Sequence, residues 1–284
     1  MQGTHGISGF TLIELSIVLV IIGLIIGGIL VGQDLVRSSY VRAQITQIEK
    51  YNTAVNDFRD KYGGIPGDLA LTLANQFGFT STSCLGDGSA PLGGRNGNGL
   101  IEGAGLAAPL AALMGENLLF WTDLSAVHLI DGSFPGGGAT YVGCPGGSLN
   151  LTTTPGSAYL GDYIPPAKIG GGIFVHVYST TGANWYLLSQ IPSFQGVNSQ
   201  VKGNPVIPVF LSYQMDSKVD DGLPTAGNVQ AVNVWTSQQV PVAAPNTTTS
   251  GGNATSCYDT TSSTYSININ GGTGTNCALS FRLQ

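Results

Sequence analysis

One carboxylate, Glu14, stands near the start of an apolar run that continues from Leu15 to Val31 without another charge. A run of about twenty apolar residues is long enough to cross a bilayer as a helix. An ionisable group inside such a segment costs roughly 2.5–3.5 kcal/mol on insertion scales, so Glu14 is a functional residue by default. The nine residues ahead of Phe10 are mostly small and polar. A secretory signal would place its apolar core before a small-residue cleavage site and lose it on processing. A cut placed before this run would instead keep the run in the mature chain.

From Gln33 the apolar run passes into an amphipathic stretch with no proline or glycine break. Val41, Ile45, Ile48, Tyr51, Val55, Phe58 and Tyr62 recur at steps of three and four, which is one face of a helix. Arg42, Glu49, Lys50, Asp57 and Lys61 fall off that stripe. Gly63-Gly64-Ile65-Pro66-Gly67-Asp68 then stops the helix. The pattern predicts one helix over 10–62, about 80 Å long at 1.5 Å per residue. Its first half would be membrane-embedded and its second half packed on a globular head. Gly23, Gly27, Gly28 and Gly32 each weaken a helix in water by about 1 kcal/mol relative to Ala. In lipid they form a close-packing face or a region that loosens on assembly, or are simply tolerated.

The order Gly9-Phe10-Thr11-Leu12-Ile13-Glu14 resembles the processing site of the type IV pilin and pseudopilin family. The likeness is specific over residues 9–69 and loose beyond. It implies cleavage between Gly9 and Phe10 by a membrane prepilin peptidase, N-methylation of Phe10 by the same enzyme, and an assembly role for Glu14. The leader has no Lys or Arg, and the span lacks the proline often found in the family. The partners it implies are other copies of the chain in a helical filament, other pilins, the peptidase and an inner-membrane assembly platform. The implied location is the bacterial inner membrane, crossed once, and then a periplasmic or cell-surface filament. The organisation expected is a leader over 1–9, the helix over 10–62 and a globular pilin-like head over 63–284.

Only 9% of residues are charged, where about a quarter is usual, and Gly, Ser, Thr and Asn take their place. That composition fits a loop-rich extracellular β domain better than a cytosolic enzyme. The net charge of −6 gives nucleic-acid binding no support. A second helix is expected over 107–129 from Leu110, Leu113, Leu118, Trp121, Leu124 and Val127. Strands are expected at 172–178, 185–190, 229–235, 265–270 and 278–283. With few crossover helices to spare, an antiparallel sheet packed on the long helix is the economical arrangement. The fold class is therefore α+β, a pilin-like lollipop with loop-rich insertions in its head.

Asp216-Ser217-Lys218-Val219-Asp220-Asp221-Gly222-Leu223-Pro224-Thr225-Ala226-Gly227 resembles a turn that recurs in pilin-like heads. Asp216, Asp220 and Asp221 could supply hard oxygen ligands to calcium, the one candidate cofactor. The other reading is a helix C-terminus capped by Lys218 and closed by Gly222, with the Asp side chains bonding backbone amides. The stretch 95–101 has the look of a calcium loop, but Gly94 and Gly105 stand where acidic ligands belong, so Asn-Gly turns describe it better. Gly103-Ala104-Gly105 has a dinucleotide-like spacing without the strand that should precede it. Four cysteines in a chain bound for an oxidising compartment favour disulfides. Cys257 and Cys277 bracket a loop resembling the disulfide-bounded C-terminal loop of many pilins, which leaves Cys84 and Cys144 as a second pair.

His5, His128 and His176 are isolated, and neither a nucleophile elbow nor a P-loop occurs, so an enzyme is not expected. Two function classes remain. The first is a structural subunit of a type IV pilus-like filament or of a type II secretion pseudopilus. The second is a minor pilin whose loops act as an adhesive or substrate-binding module. Glu14 argues against the tip pseudopilin, whose family pattern lacks that acid.

Overall fold

Helix α1 (Leu12–Tyr62) runs without interruption through both the apolar and the amphipathic stretch. No proline breaks it, and it ends where Gly63 takes a φ of +77° while its N–H donates to the Arg59 carbonyl at 2.9 Å. The computed structural model describes residues 10–79, 95–102, 115–134, 157–195, 200–231, 245–246 and 255–284. It divides the chain into two compact units, Met1–Tyr40 and Val41–Gln284. In the first, the described residues are the start of α1, whose large apolar side chains are exposed. This helix is long and apolar enough to cross a membrane.

In the second unit the expected stripe is the buried one. Val41, Ile48, Tyr51, Val55 and Phe58 are buried, Ile45 and Tyr62 partly so, and Arg42, Glu49, Lys50, Asp57 and Lys61 are exposed. After the turn at 63–70, the short helix α2 (Leu71–Phe77) brings Phe77 to 5.1 Å from the Tyr62 ring. Helix α3 (Glu116–Ala126) is buried from Glu116 to Ser125, on every face rather than along one stripe. The expected start at 107 lies outside the described residues. The expected end at 129 is too late, because His128 adopts a φ of +58° and the chain leaves the helix there.

Strand β1 (Ile173–Thr180) and strand β2 (Ala183–Gln195) form an antiparallel hairpin. Its two-residue turn, Thr181-Gly182, has positive φ at both positions, the geometry that matches strand twist. Strand β3 (Gln200–Asn204), which the sequence pattern did not indicate, pairs with the second half of β2. Helix α4 (Val209–Val219) follows, then β4 (Val229–Gln230), β5 (Pro245–Asn246), β6 (Tyr258–Asp259), β7 (Thr264–Tyr265) and β8 (Leu279–Arg282). The main sheet runs in the order β1-β2-β8-β4 and is antiparallel throughout. This is the α+β arrangement expected. A small second sheet, β5-β6-β7, includes one parallel pair, β5 with β6. The strand expected over 265–270 is only β7, because the Ile267 N–H turns back to the Tyr265 carbonyl at 2.8 Å. The strand expected over 229–235 is seen as β4, and 232–235 lie outside the described residues.

Two glutamines join α1 to the loop before β1. The Gln47 amide donates to Tyr51 Oη at 2.8 Å and to the Pro166 carbonyl at 2.9 Å. The Lys168 N–H donates to Gln44 Oε1 at 2.8 Å and to Gln47 Oε1 at 3.1 Å. Both side chains are buried, and each answers backbone groups that would otherwise lose water without a partner. Gln44→Ala is therefore expected to lower stability by about 1–3 kcal/mol. The exposed Glu49→Ala should change it by less than about 0.5 kcal/mol. Urea unfolding followed by tryptophan fluorescence measures both.

Candidate functional site

At its start, α1 carries its own cap. The Thr11 N–H donates to Glu14 Oε2 at 2.8 Å, the Thr11 hydroxyl donates to the same oxygen at 2.7 Å, and the Glu14 N–H donates to Thr11 Oγ1 at 3.3 Å. This is a capping box, in which a threonine and the glutamate three residues on answer each other's amides. Thr-x-x-Glu before an apolar run is its sequence signature, and a reading of Glu14 as a membrane charge alone passes over it. Glu14 Oε1 takes no hydrogen bond among the described residues. Phe10, beside it, is 86% exposed.

From Leu12 to Val36 the large apolar side chains face outward all round the helix. An exposed apolar surface of this extent marks an interaction with membrane or protein. A Cβ added at Gly23, Gly27, Gly28 or Gly32 would meet nothing within 4 Å, so no packing among the described residues requires these glycines. Residues 5–30 match the family model described as the prokaryotic N-terminal methylation motif. The chain carries the prepilin signal of type IV pilins and pseudopilins. Comparison with curated proteins and with solved structures found no match. The matched motif covers residues 5–30 and stops short of the amphipathic half of α1. It supports a pilin-like or pseudopilin-like protein processed by prepilin peptidase, and it points to a structural role. With the apolar helix it suggests membrane anchoring before assembly. Gly9 lies outside the described residues.

Away from the prepilin motif, the structure brings Asp216, Asp220 and Asp221 together at the end of α4, with carboxylate oxygens within 4.8 Å of one another. Their hydrogen bonds hold the turn. Asp216 accepts the Gly222 N–H at 3.1 Å and the Tyr265 hydroxyl at 2.7 Å. Asp220 Oδ2 accepts the N–H groups of Asn228 and Val229, and Asp221 Oδ1 accepts that of Leu223 at 2.8 Å. Gly227 has a φ of +73°, and a Cβ there would run into the Asp220 carboxylate. Burial pushes the Asp216 carboxyl up to about 6, against the lowering effect of its Tyr265 and Gly222 bonds. Four carboxylate oxygens are thus engaged by protein donors.

Cys257 and Cys277 are joined by a disulfide with their Cα atoms 5.0 Å apart, and both are fully buried. It fastens β6 to the segment entering β8, where Cys277 exchanges both backbone hydrogen bonds with Ile207. Cys84 and Cys144 lie outside the described residues.

A buried polar group that the sequence reading missed surrounds the 95–102 loop. The Arg95 guanidinium donates to both Asp123 oxygens, at 2.8 and 2.6 Å, with each side chain 1% exposed. Asp123 also accepts the Gly67 N–H at 2.8 Å. Gly67 has a φ of +82°, and its Cα passes so close to α3 that a Cβ would lie 2.8 Å from the Phe120 nitrogen. Arg-x-Gly-x-Gly with acids twenty to thirty residues away gives no periodic signal, so only the fold brings these groups together.

Two outcomes are expected. Replacing Cys257 and Cys277 by alanine should lower stability by about 3 kcal/mol, the chain-entropy value for a loop of this size, in urea unfolding under non-reducing conditions. Asp220→Ala, which strands two amide donors, should cost about 1–3 kcal/mol, while a calcium chelator leaves the wild-type melting temperature unchanged. A chelator-dependent fall in melting temperature, abolished by Asn at 216, 220 and 221, would instead reveal calcium at the three carboxylates.

Proposed function

We propose that this chain is a structural subunit of a type IV pilus-like filament, cut between Gly9 and Phe10, methylated at Phe10 and assembled through α1. One observation carries the reading. The apolar surface from Leu12 to Val36 is exposed all round, and Glu14 is the single charge before Asp34. In the membrane before assembly, lipid would cover that surface. In a filament, the α1 helices of neighbouring subunits would cover it.

Cleavage creates a positive amine on Phe10, four residues from Glu14. A carboxylate left unpaired in an apolar bundle is costly, and an amine from a neighbouring subunit offsets much of that penalty. Glu14 of one subunit meeting Phe10 of another is a heterologous contact, which propagates as an open helical filament. It also sets register, because a subunit inserted too high or too low leaves both charges without partners. A pseudopilus would use the same helix in the same way.

Mass spectrometry of sheared filaments or of the membrane fraction should give an N-terminal residue of methylated Phe10. A mature chain that keeps Met1, or that starts after Val31, would reject the reading. Glu14→Ala should leave processing and folding intact and reduce filaments seen by electron microscopy to near absence. Glu14→Asp, shorter by one methylene, should assemble poorly. Wild-type filament abundance in Glu14→Ala would confine Glu14 to capping its own helix.

A further inference from the structure

The carboxyl groups of Asp68 and Glu116 meet in the interior of the second unit. Asp68 follows the tight turn after α1, and Glu116 opens α3. They are 2% and 0% exposed, and the adjacent N–H groups of Asn96 and Gly97 donate one to each carboxyl, which brings the two side chains together. Two ionised carboxylates buried so near each other repel, and one proton between them removes the repulsion. The remaining bonding capacity goes to a single loop. The N–H groups of Gly97 and Gly99 donate to Asp68 Oδ1 and Oδ2 at 2.8 and 2.6 Å. Those of Asn96 and Glu102 donate to Glu116 Oε1 and Oε2 at 3.3 and 2.9 Å. The Glu116 N–H returns a bond to the Glu102 carbonyl at 3.1 Å. Both ends of the 95–102 loop therefore hang from this pair of side chains.

We propose that Asp68 and Glu116 share a single proton at neutral pH, and that this proton latches the 95–102 loop onto the ends of α1 and α3. With the proton in place the pair carries one negative charge, which four backbone N–H groups surround. Without it, two like charges face each other where water does not reach, and the loop's anchor is pushed apart. Around the pair, Arg95 and Asp123 neutralise each other as a buried ion pair. The Glu102 carboxylate lies at the solvent side, holding the side-chain amides of Asn96 and Asn98 at 3.1 Å each. No lysine or histidine bonds to either carboxyl among the described residues. Burial first, and then the Asp68 charge, push Glu116 up to about 9, and burial raises Asp68 as well.

The direction of the pH effect follows from linkage. A carboxyl raised in the folded state keeps its proton there and has lost it in the unfolded chain, so stability falls as pH rises between the two values. The stability is fully present below the unfolded value near 4.5 and lost by about 9. Other shifted groups fall outside the upper part of that window. Asp216 titrates at about 6, and buried His176, pushed down to about 3, differs from the unfolded chain only below the ordinary histidine range.

The test is urea unfolding of the full chain in detergent micelles at intervals from pH 7 to 8.5, paired with infrared spectra at pH 7.5. The wild-type unfolding constant should rise about tenfold per pH unit, the signature of one proton released on unfolding. Glu116→Gln should be less stable, because its amide nitrogen cannot accept an N–H, and its unfolding constant should not change with pH. The wild-type-minus-variant infrared difference should contain the C=O stretch of a protonated carboxylic acid. Glu14 is present in both chains and cancels. If Glu116→Gln does not fold, Asp68→Asn serves, because the side-chain amide it introduces can donate to an ionised Glu116 and the acid band should vanish. A flat wild-type profile, an equal slope in the variant, or a difference spectrum with carboxylate bands alone would overturn the shared proton.

Discussion

Tyr51 of α1 ties two other elements of the second compact unit together, α3 and β2. Its ring sits 5.0 Å from Trp121 of α3, edge to face, and 6.1 Å from Tyr186 of the central strand β2. Its hydroxyl meets the Gln47 amide, which in turn reaches the loop before β1. Trp121 and Tyr186 also approach each other at 6.4 Å, and Phe120 lies 6.1 Å from Tyr186. Each such aromatic pair contributes about 0.5–1.5 kcal/mol beyond burial of area. Two turns further along α1, Phe58 lies 5.3 Å from Phe79 and 4.6 Å from Tyr62, so the same helix face is buried at both levels.

What the sequence made legible was whatever obeys a period or a fixed spacing. The three-and-four stripe from Val41 to Tyr62 marked the buried face of α1, and Gly63 marked its end. The order Gly9-Phe10-Thr11-Leu12-Ile13-Glu14 stood out because a charge in an apolar run is expensive. Runs bounded by Gly, Pro and Asn clusters picked out β1, β2 and β8. Cys257 and Cys277 were paired through a resemblance, and the fold joins them. The Asp turn was read two ways, and the backbone amides of 222, 223, 228 and 229 occupy the carboxylates as the structural reading required.

What stayed hidden was polar and non-local. Gln44 and Gln47 look like solvent-facing residues between apolar ones, and only the loop at 166–169 makes them core. Arg95 and Asp123 are twenty-eight residues apart, and neither lies in a pattern. Asp68 read as part of a helix stop, and Glu116 fell inside the helix expected over 107–129; both are buried in the fold. Helix α3 read as amphipathic because Glu116, Asn117, Thr122, Asp123 and Ser125 count as polar. They are buried because each finds an internal partner, such as Asn117 Nδ2 on the Val177 carbonyl at 2.7 Å. Hydrophobic periodicity cannot detect a face that is buried by hydrogen bonds.

Glu14 shows how one carboxylate can serve its own helix and, on the proposed reading, a neighbour. The capping box satisfies two donors at the start of α1 and is worth about 1 kcal/mol to the helix. It does not remove the charge, and in apolar surroundings an uncompensated charge costs several times that. Between residues 10 and 36 there is no Lys, Arg or His to offset it. The amine that the proposed cleavage would create on Phe10 is the cation nearest in sequence. Thr11 engages one carboxylate oxygen through two donors and so fixes the side-chain rotamer, leaving Oε1 in a defined place at the helix end. A side chain already ordered loses less entropy when a partner arrives. On the proposed reading the cap and the assembly contact are complementary rather than competing: the first sets where the charge sits, and the second would neutralise it.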